Sequence, residues 1–319
     1  MRERVNVDNF KRAESDHYFS TFTKEGGLGK FVHRREPADI DKQDVIRMNR
    51  DTLYSSAVVD LDASPATVSL PEPIGRFMAM QVINEDHYTV TVIYKAGAHS
   101  FTKEQVGTRY VLFLVRTFVD PGDSADAAKV HALQDAITVT QSRTGTFEVP
   151  DWDGASLDDI RKALNALTAV NGGLDSARMF GRKDQVDSVQ HLLGTAAGWG
   201  GNPVTDAYYS GVVPGKNDGQ TVYRVTVQDV PVDGFWSISV YNRDGFFEKN
   251  PRAVYSVNNV TAEPNADGSV TVQFGGQPGG DAPNCIPISP GWNYLVRMYR
   301  PRKQILDGSW KFPEAQPVT

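Results

Sequence analysis

The sequence predicts a mainly β protein: two tandem antiparallel β-sandwich domains with a few helices. Two strands and one turn carry that expectation. In residues 235–241, Trp236, Ile238 and Val240 alternate with Phe235, Ser237, Ser239 and Tyr241. That period of two gives a strand one apolar and one mixed face. Residues 292–299 repeat the pattern, with Trp292, Tyr294, Val296 and Met298 on one face and Asn293, Leu295, Arg297 and Tyr299 on the other. Between them, Asn265-Ala266-Asp267-Gly268 reads as a hairpin turn with 269–274 as its return strand.

The bulk properties narrow the function classes. A chain of 319 residues, 40% hydrophobic and 10% aromatic, has material for two domains with full cores. The formal charge is −6 and the basic residues are scattered, which argues against a nucleic-acid partner. Charges at Arg2, Glu3, Arg4 and Asp8 occupy the place of a signal-peptide core, and no apolar run is long enough to span a bilayer, so a cytoplasmic location is expected. With one cysteine there is no internal disulfide, and Cys285, far in sequence from any histidine, reads as a small buried residue.

Taken in order, residues 8–24 read as a helix capped by Asp8, with Phe10, Glu14, Tyr18 and Phe22 at i, i+4 spacing. Glu14 on that stripe is either a marginal surface residue or a buried carboxylate paired to an arginine. Strands at 77–83 and 88–94 flank Asn84-Glu85-Asp86-His87, and 109–119 forms a third strand with Arg116 among apolar neighbours. A buried guanidinium requires a carboxylate or several carbonyls, because an unpaired buried charge is very costly. Arg116 is therefore either a structural pair or an anion-holding group. Helices are expected at 124–139 and 156–170, the second capped at Ser156, burying Ile160, Ala163, Leu164 and Leu167, and stopped by Asn171-Gly172-Gly173. Residues 172–219 are rich in Gly and Pro, and 221–227 open a second sheet. The expected organisation is an N-terminal domain over 1–150, a helical linker over 151–195 and a C-terminal domain over 196–319. The tail from 301 is expected to pack back as irregular structure.

The chemistry is harder to read. The six histidines are dispersed with no close ligand pair, so no metal site is expected, and neither a nucleophile elbow nor a nucleotide-binding glycine fingerprint is present. Glu85-Asp86-His87 is the best acid–base candidate, because a carboxylate beside an imidazole sets its tautomer and raises its pKa. Adjacent strand residues point to opposite faces, so at most two of the three share a site. Asn49-Arg50-Asp51 with Tyr54, and Tyr241 with Asn242-Arg243-Asp244, place an Asn-Arg-Asp triplet beside a tyrosine twice. Such groups suit a carboxylate, phosphate or sugar hydroxyl, but Asn and Asp also serve turns.

Several blocks are similar to known families. Asn49-Arg50-Asp51-Thr52-Leu53-Tyr54, Glu85-Asp86-His87, Gly107-Thr108-Arg109-Tyr110 and the Gln134-Asp135 region resemble the domain of unknown function numbered 1254. Residues 235–241, Asn250-Pro251, Tyr255-Ser256, and the run from Asn284-Cys285-Ile286-Pro287 through Arg297 to Pro301 resemble its usual companion, numbered 1214. The resemblance implies two tandem jelly-roll-like domains that often self-associate, and it implies no activity.

Two functional expectations follow. One is an enzyme acting on a small polar or hydroxylated molecule in a cleft between the β-domains, with His87, Glu85 and Tyr54 as catalytic groups and Arg50, Arg116, Tyr241, Asn242, Arg297 and Tyr299 holding the ligand. The other is a non-catalytic ligand-binding or assembly protein. No substrate, reaction or cofactor is readable. Aromatic side chains such as Trp199, Phe235, Tyr241 and Trp292 exceed what two modest sheets require, and aromatic enrichment marks interface cores. A homo-oligomer, dimer or trimer, is therefore expected. Sedimentation at micromolar concentration checks it, and a lone 35.1 kDa species would refute it.

Overall fold

The computed structural model describes residues 2–43, 46–171, 173–276 and 282–318, so Gly172 of the expected helix stop lies outside the described residues. The chain is mainly β, with sixteen strands in four sheets and seven helices among the described residues. It divides into two compact units, each assembled from separated stretches. The first comprises Met1–Arg35, Leu53–Phe118 and Ser124–Val204, and the second Glu36–Thr52, Val119–Asp123 and Thr205–Thr319.

In the first unit a five-stranded sheet runs Val32–His33, Thr52–Asp60, Tyr110–Phe118, Met78–Asn84, Thr89–Ile93 in spatial order. Strand Tyr110–Phe118 is buried throughout, and its alternation explains why both faces are covered. Val111, Phe113 and Val115 share a core with Ala66, Val68 and Phe101 of a three-stranded sheet, Gly97–Phe101, Ala66–Leu70, Thr138–Gln141. Tyr110, Leu112 and Leu114 on the other face pack with Phe19 of the first helix. The hairpin expected around 84–87 forms, with Met80 opposite Ile93 and Val82 opposite Thr91.

The helices depart from the sequence reading at their ends and faces. The first is Phe10–Lys24, with Asn9 rather than Asp8 at its cap, and its buried residues include Glu14, Ser15 and Asp16. Glu14 takes the paired alternative, held by Arg161 at 2.7 and 2.5 Å. Helix Gly154–Val170 starts two residues before the expected position because the Asp153 carboxylate, not Ser156, caps it, accepting from the Ser156 N–H. It buries Leu157 and Leu164 and leaves Leu167 exposed. The helix expected over 124–139 ends at Asp135, since Thr138–Gln141 pairs with Ala66–Leu70 instead. Residues 151–195 belong to the first unit, and residue 196 lies inside a continuous helix, Ser188–Gly198, that periodicity did not expose in this Gly-rich stretch.

In the second unit two four-stranded sheets share one core. Strands Trp236–Tyr241 and Asn293–Tyr299 pair antiparallel, from Trp236 opposite Met298 to Tyr241 opposite Asn293. Trp236, Ile238, Val240, Tyr294, Val296 and Met298 all enter the core, as their alternation requires. Asn265–Gly268 is a turn, but the strand after it, Val270–Phe274, pairs with Tyr223–Val227 in the other sheet. The tail is more regular than expected, with helix Lys303–Leu306 and strand Gln316–Pro317 beside Tyr223 and Arg224.

Arg297 fastens residues 47–48 to the strands of this unit. It is 3% exposed and donates to the carbonyls of Arg47 (2.8 Å) and Met48 (3.2 Å), to Ser239 Oγ (2.9 Å) and to the Tyr241 hydroxyl (2.7 Å). Burial disfavours its charge, yet Tyr241, Tyr299 and Asp51 outweigh that cost and its pKa is raised. Replacing Arg297 by Met keeps much of the stem packing but leaves two carbonyls without their donor. The expected loss is about 2–4 kcal/mol in urea unfolding, and a change below about 0.5 kcal/mol would show that the clamp contributes nothing.

Candidate functional site

The first unit holds a cleft of about 490 Å³ lined by Arg12, Asp16, Glu85, Arg109, Tyr110 and Trp152 among others. Arg12 and Asp16 stand four residues apart on helix Phe10–Lys24, which puts both on one face. Glu85 and Asp86 occupy the tight turn after strand Met78–Asn84, where the Asn84 side chain accepts the N–H groups of Asp86 (3.1 Å) and Tyr88 (2.9 Å). Thr102 and Gln105 form a capping box on helix Lys103–Val106, and Gly107, at φ +85°, turns the chain to deliver Thr108 and Arg109. Trp152 is placed by residues 3 and 151–153, whose backbones bond across the N-terminal segment.

Asp16 is the chemically unusual group. It is 1% exposed; its Oδ2 accepts the Trp152 indole N–H at 2.9 Å, and its Oδ1 has no hydrogen-bond partner. Burial, with Glu85 and Asp86 adding to it against Trp152 and Arg12, pushes its pKa up to about 7. Glu85 is raised by burial too, but it is better supplied. Its Oε2 accepts the Tyr110 N–H at 2.9 Å, and Arg12 Nη1 lies 3.7 Å from its Oε1. Arg12 itself is held on Asp86 at 3.1 and 2.6 Å, and Arg109 grips Asp60 with two nitrogens at 3.1 and 2.8 Å. The site thus contains a carboxyl that titrates close to neutral pH, beside a second, guanidinium-flanked carboxyl whose pKa burial also raises. That combination can give and take a proton. Among the described residues no group of three or more His, Cys, Asp or Glu is placed to hold a metal ion.

The residues singled out from sequence are dispersed between the two units. Glu85 lines the cleft. His87, its near neighbour, turns away into the interior: Nδ1 meets Thr195 Oγ1 at 2.8 Å, and Nε2 accepts the Gly200 N–H at 2.8 Å. The Thr195 hydroxyl is itself spent on the carbonyl of His191. His87 is therefore neutral with its proton on Nδ1, stacked between Trp199 (5.3 Å) and His191 (5.5 Å), and burial holds its pKa well below the usual imidazole value. Tyr54 offers its ring face to Arg116 at 5.5 Å. Arg116 is satisfied by Gln81 (2.7 Å), Asn202 (3.2 Å) and the Gly200 carbonyl (2.7 Å), so amide oxygens rather than a carboxylate meet its donors.

In the second unit, Arg297, Tyr299 and Arg50 line neither this cleft nor the second unit's own pocket. Tyr299 accepts from Asn49 at 2.9 Å, and Arg50 bonds the Ala38 carbonyl and lies over the Tyr255 ring at 5.3 Å. Tyr241 and Asn242 do line a pocket, about 190 Å³, with Tyr255 and Asn250. Sequence reasoning missed Arg12, Asp16 and Trp152. The i, i+4 spacing of Arg12 and Asp16 was the available signal, but the aromatic stripe Phe10, Tyr18 and Phe22 drew the helix face elsewhere.

Residues 28–105 match the family model described as a protein of unknown function (DUF1254), and residues 214–303 match another of the same description (DUF1214). The fold is similar to that of the VPA0106 protein from Vibrio parahaemolyticus: TM-score 0.73, 18% identity, covering 99% of this chain and 100% of that one. It is also similar to a putative uncharacterized protein from Burkholderia cenocepacia at TM-score 0.55 and 15% identity, covering 96% and 87%. No curated protein matches the chain.

His87 yields a test of this arrangement. A base whose folded pKa is depressed contributes stability above its unfolded value, near 6.5, and that contribution is lost as pH falls below it. His87→Phe preserves a stacking ring but leaves the Gly200 N–H without an acceptor. We expect a loss of about 1–3 kcal/mol at pH 8 and a weaker fall in melting temperature between pH 6.5 and 5. An unchanged acid response would assign that response to other groups.

Proposed function

For a chain that carries these two domains of unknown function in tandem, we propose that the first unit's cleft is an acid–base site acting on a small polar or hydroxylated molecule. The carrying observation is the Asp16 carboxyl, buried, held near neutrality, and with one oxygen free of any partner. Protonated Asp16 donates to an oxygen that gains negative charge. Glu85, whose pKa burial raises while the Tyr110 N–H and Arg12 oppose that rise, accepts a proton from the same molecule when ionised. Arg12 and Arg109 supply further donors at the rim, and the rings of Trp152 and Tyr110 supply apolar wall. Mixed donors and acceptors with aromatic surface suit hydroxyl groups better than a bare anion, which Glu85 and Glu148 would repel.

A ligand-binding role without catalysis is supported by one separate feature, the second unit's pocket with Tyr241, Tyr255 and two asparagines. The shared core of that unit's sheets supports reading it as a β-sandwich of jelly-roll type. Exposed Leu167 and Val170 on helix Gly154–Val170 support the homo-oligomer.

The decisive variant is Asp16→Asn. An acid whose folded pKa is raised contributes stability below its unfolded value, near 3.8, and loses it as pH rises through about 7. The amide removes that loss, so at pH 8 the variant should be more stable than the wild type by about 2–4 kcal/mol, while at pH 4 the two nearly coincide. Screening small polyols and hydroxy acids by melting shift should find binders for the wild type that both Asp16→Asn and Glu85→Gln lose. The reading fails if the Asp16 carboxyl carbon titrates near 4 by NMR, or if the binders survive both substitutions.

A further inference from the structure

His191 is a buried histidine of helix Ser188–Gly198 that the proposed chemistry does not use. Its Nδ1 lies 2.8 Å from the carbonyl oxygen of Met179, and its Nε2 lies 3.1 Å from the carbonyl oxygen of Asp86. A neutral imidazole has one N–H, so one of those carbonyls then faces a lone pair; only the doubly protonated ring donates to both. The carbonyl of Asp86 belongs to the turn that presents Glu85 to the cleft and whose Asp86 carboxylate holds Arg12. We propose that His191 is a positioning residue: a proton on its Nε2 makes it a two-armed donor that ties the Asp86 carbonyl to that of Met179 and so fixes the turn carrying Glu85. The proposal rests on the reading of the cleft as the active site only for its consequence, not for the tie itself.

The surroundings decide when that proton arrives. From the turn, His87 stacks on His191 at 5.5 Å as a neutral ring with both nitrogens used, and Tyr88 stacks at 4.5 Å. Helix Phe10–Lys24 brings Lys11, and helix Ser176–Met179 brings the Met179 carbonyl, with its Arg178 paired to Asp175. On its own helix, Asp187 is occupied as the N-cap and the Thr195 hydroxyl bonds the His191 carbonyl. Burial first, and then Lys11, push protonation below the usual imidazole range, while the two carbonyls and the Asp86 carboxylate oppose them. The tie therefore forms on the acid side of neutrality, where Asp16 also carries its proton. Both groups are then in the state that general-acid chemistry at Asp16 needs.

Long-range ¹H–¹⁵N spectra of the full chain between pH 8 and 4.5 test this. The expected result is a single protonated ring nitrogen on His191 above pH 7, a second proton at Nε2 on acidification, and the Asp86 carbonyl carbon moving with the same midpoint. Intrinsic-rate-corrected exchange of the Glu85 and Asp86 amides should slow about five- to tenfold across that transition. His191→Phe keeps the ring stack and removes both arms, so the turn should lose its pH response. His191→Gln, with one donor group, should do the same if the phenylalanine variant does not fold. The proposal is overturned if the ring stays neutral to pH 4.5, if it titrates without moving the turn, or if the turn's response persists in the variants. Asp16→Asn separates the two readings. If Asp16 proves an ordinary acid while His191 and the turn still titrate together, the tie stands and the catalytic reading falls.

Discussion

Burying an ionised side chain costs several kcal/mol unless charge or hydrogen bonds replace the lost water, and the first helix meets that constraint in two different ways. Glu14 and Asp16 lie two residues apart on Phe10–Lys24 and are buried equally. Glu14 is met at both oxygens by Arg161 from helix Gly154–Val170, so the pair cross-links two helices. Asp16 receives one indole N–H, and burial instead pushes its pKa up to about 7. The candidate chemistry depends on that difference, because a carboxyl left short of donors is the group whose proton is available near neutral pH.

The other buried charges show the contrasting, structural solution. Arg116 is met by two side-chain amides and a carbonyl, and Arg297 by two carbonyls and two hydroxyls. Neither guanidinium has a hydrogen-bonded carboxylate, and each welds stretches distant in sequence: Arg116 joins a strand to residues 200–202, and Arg297 joins the last long strand to residues 47–48. His87 does comparable work as a neutral ring, linking its hairpin to residues 195 and 200. Such contacts explain why each unit holds together although it is built from discontinuous segments.

The twin Asn-Arg-Asp triplets find their common cause in turn chemistry. Asn49 accepts the Asp51 N–H at 2.8 Å, and Asn242 accepts the Asp244 N–H at 3.0 Å, the same side-chain-to-backbone bond two residues on. Asp51 then goes on to receive Ser256 and Asn258, each at 3.2 Å. Its partners come from another part of the second unit, so nothing local announces them.

Much of the strand architecture was determined by the sequence itself. Alternation at 235–241 and 292–299 specified which residues enter the core, because adjacent strand side chains must point to opposite faces. The Asn84–His87 hairpin was equally local, since turn residues declare themselves by their own backbone needs. Glu85 was legible as a candidate for the same reason. Tertiary structure alone decided which ionisable groups would share an environment. His87 and Glu85 are two residues apart, yet one enters the interior beside Thr195 and Gly200 while the other lines the cleft. Asp16 meets Trp152, 136 residues away, and His191 meets Asp86, 105 residues away. Periodicity reports which face of an element is buried, but a pKa depends on what the rest of the chain brings against that face, and spacing along the sequence carries no record of it.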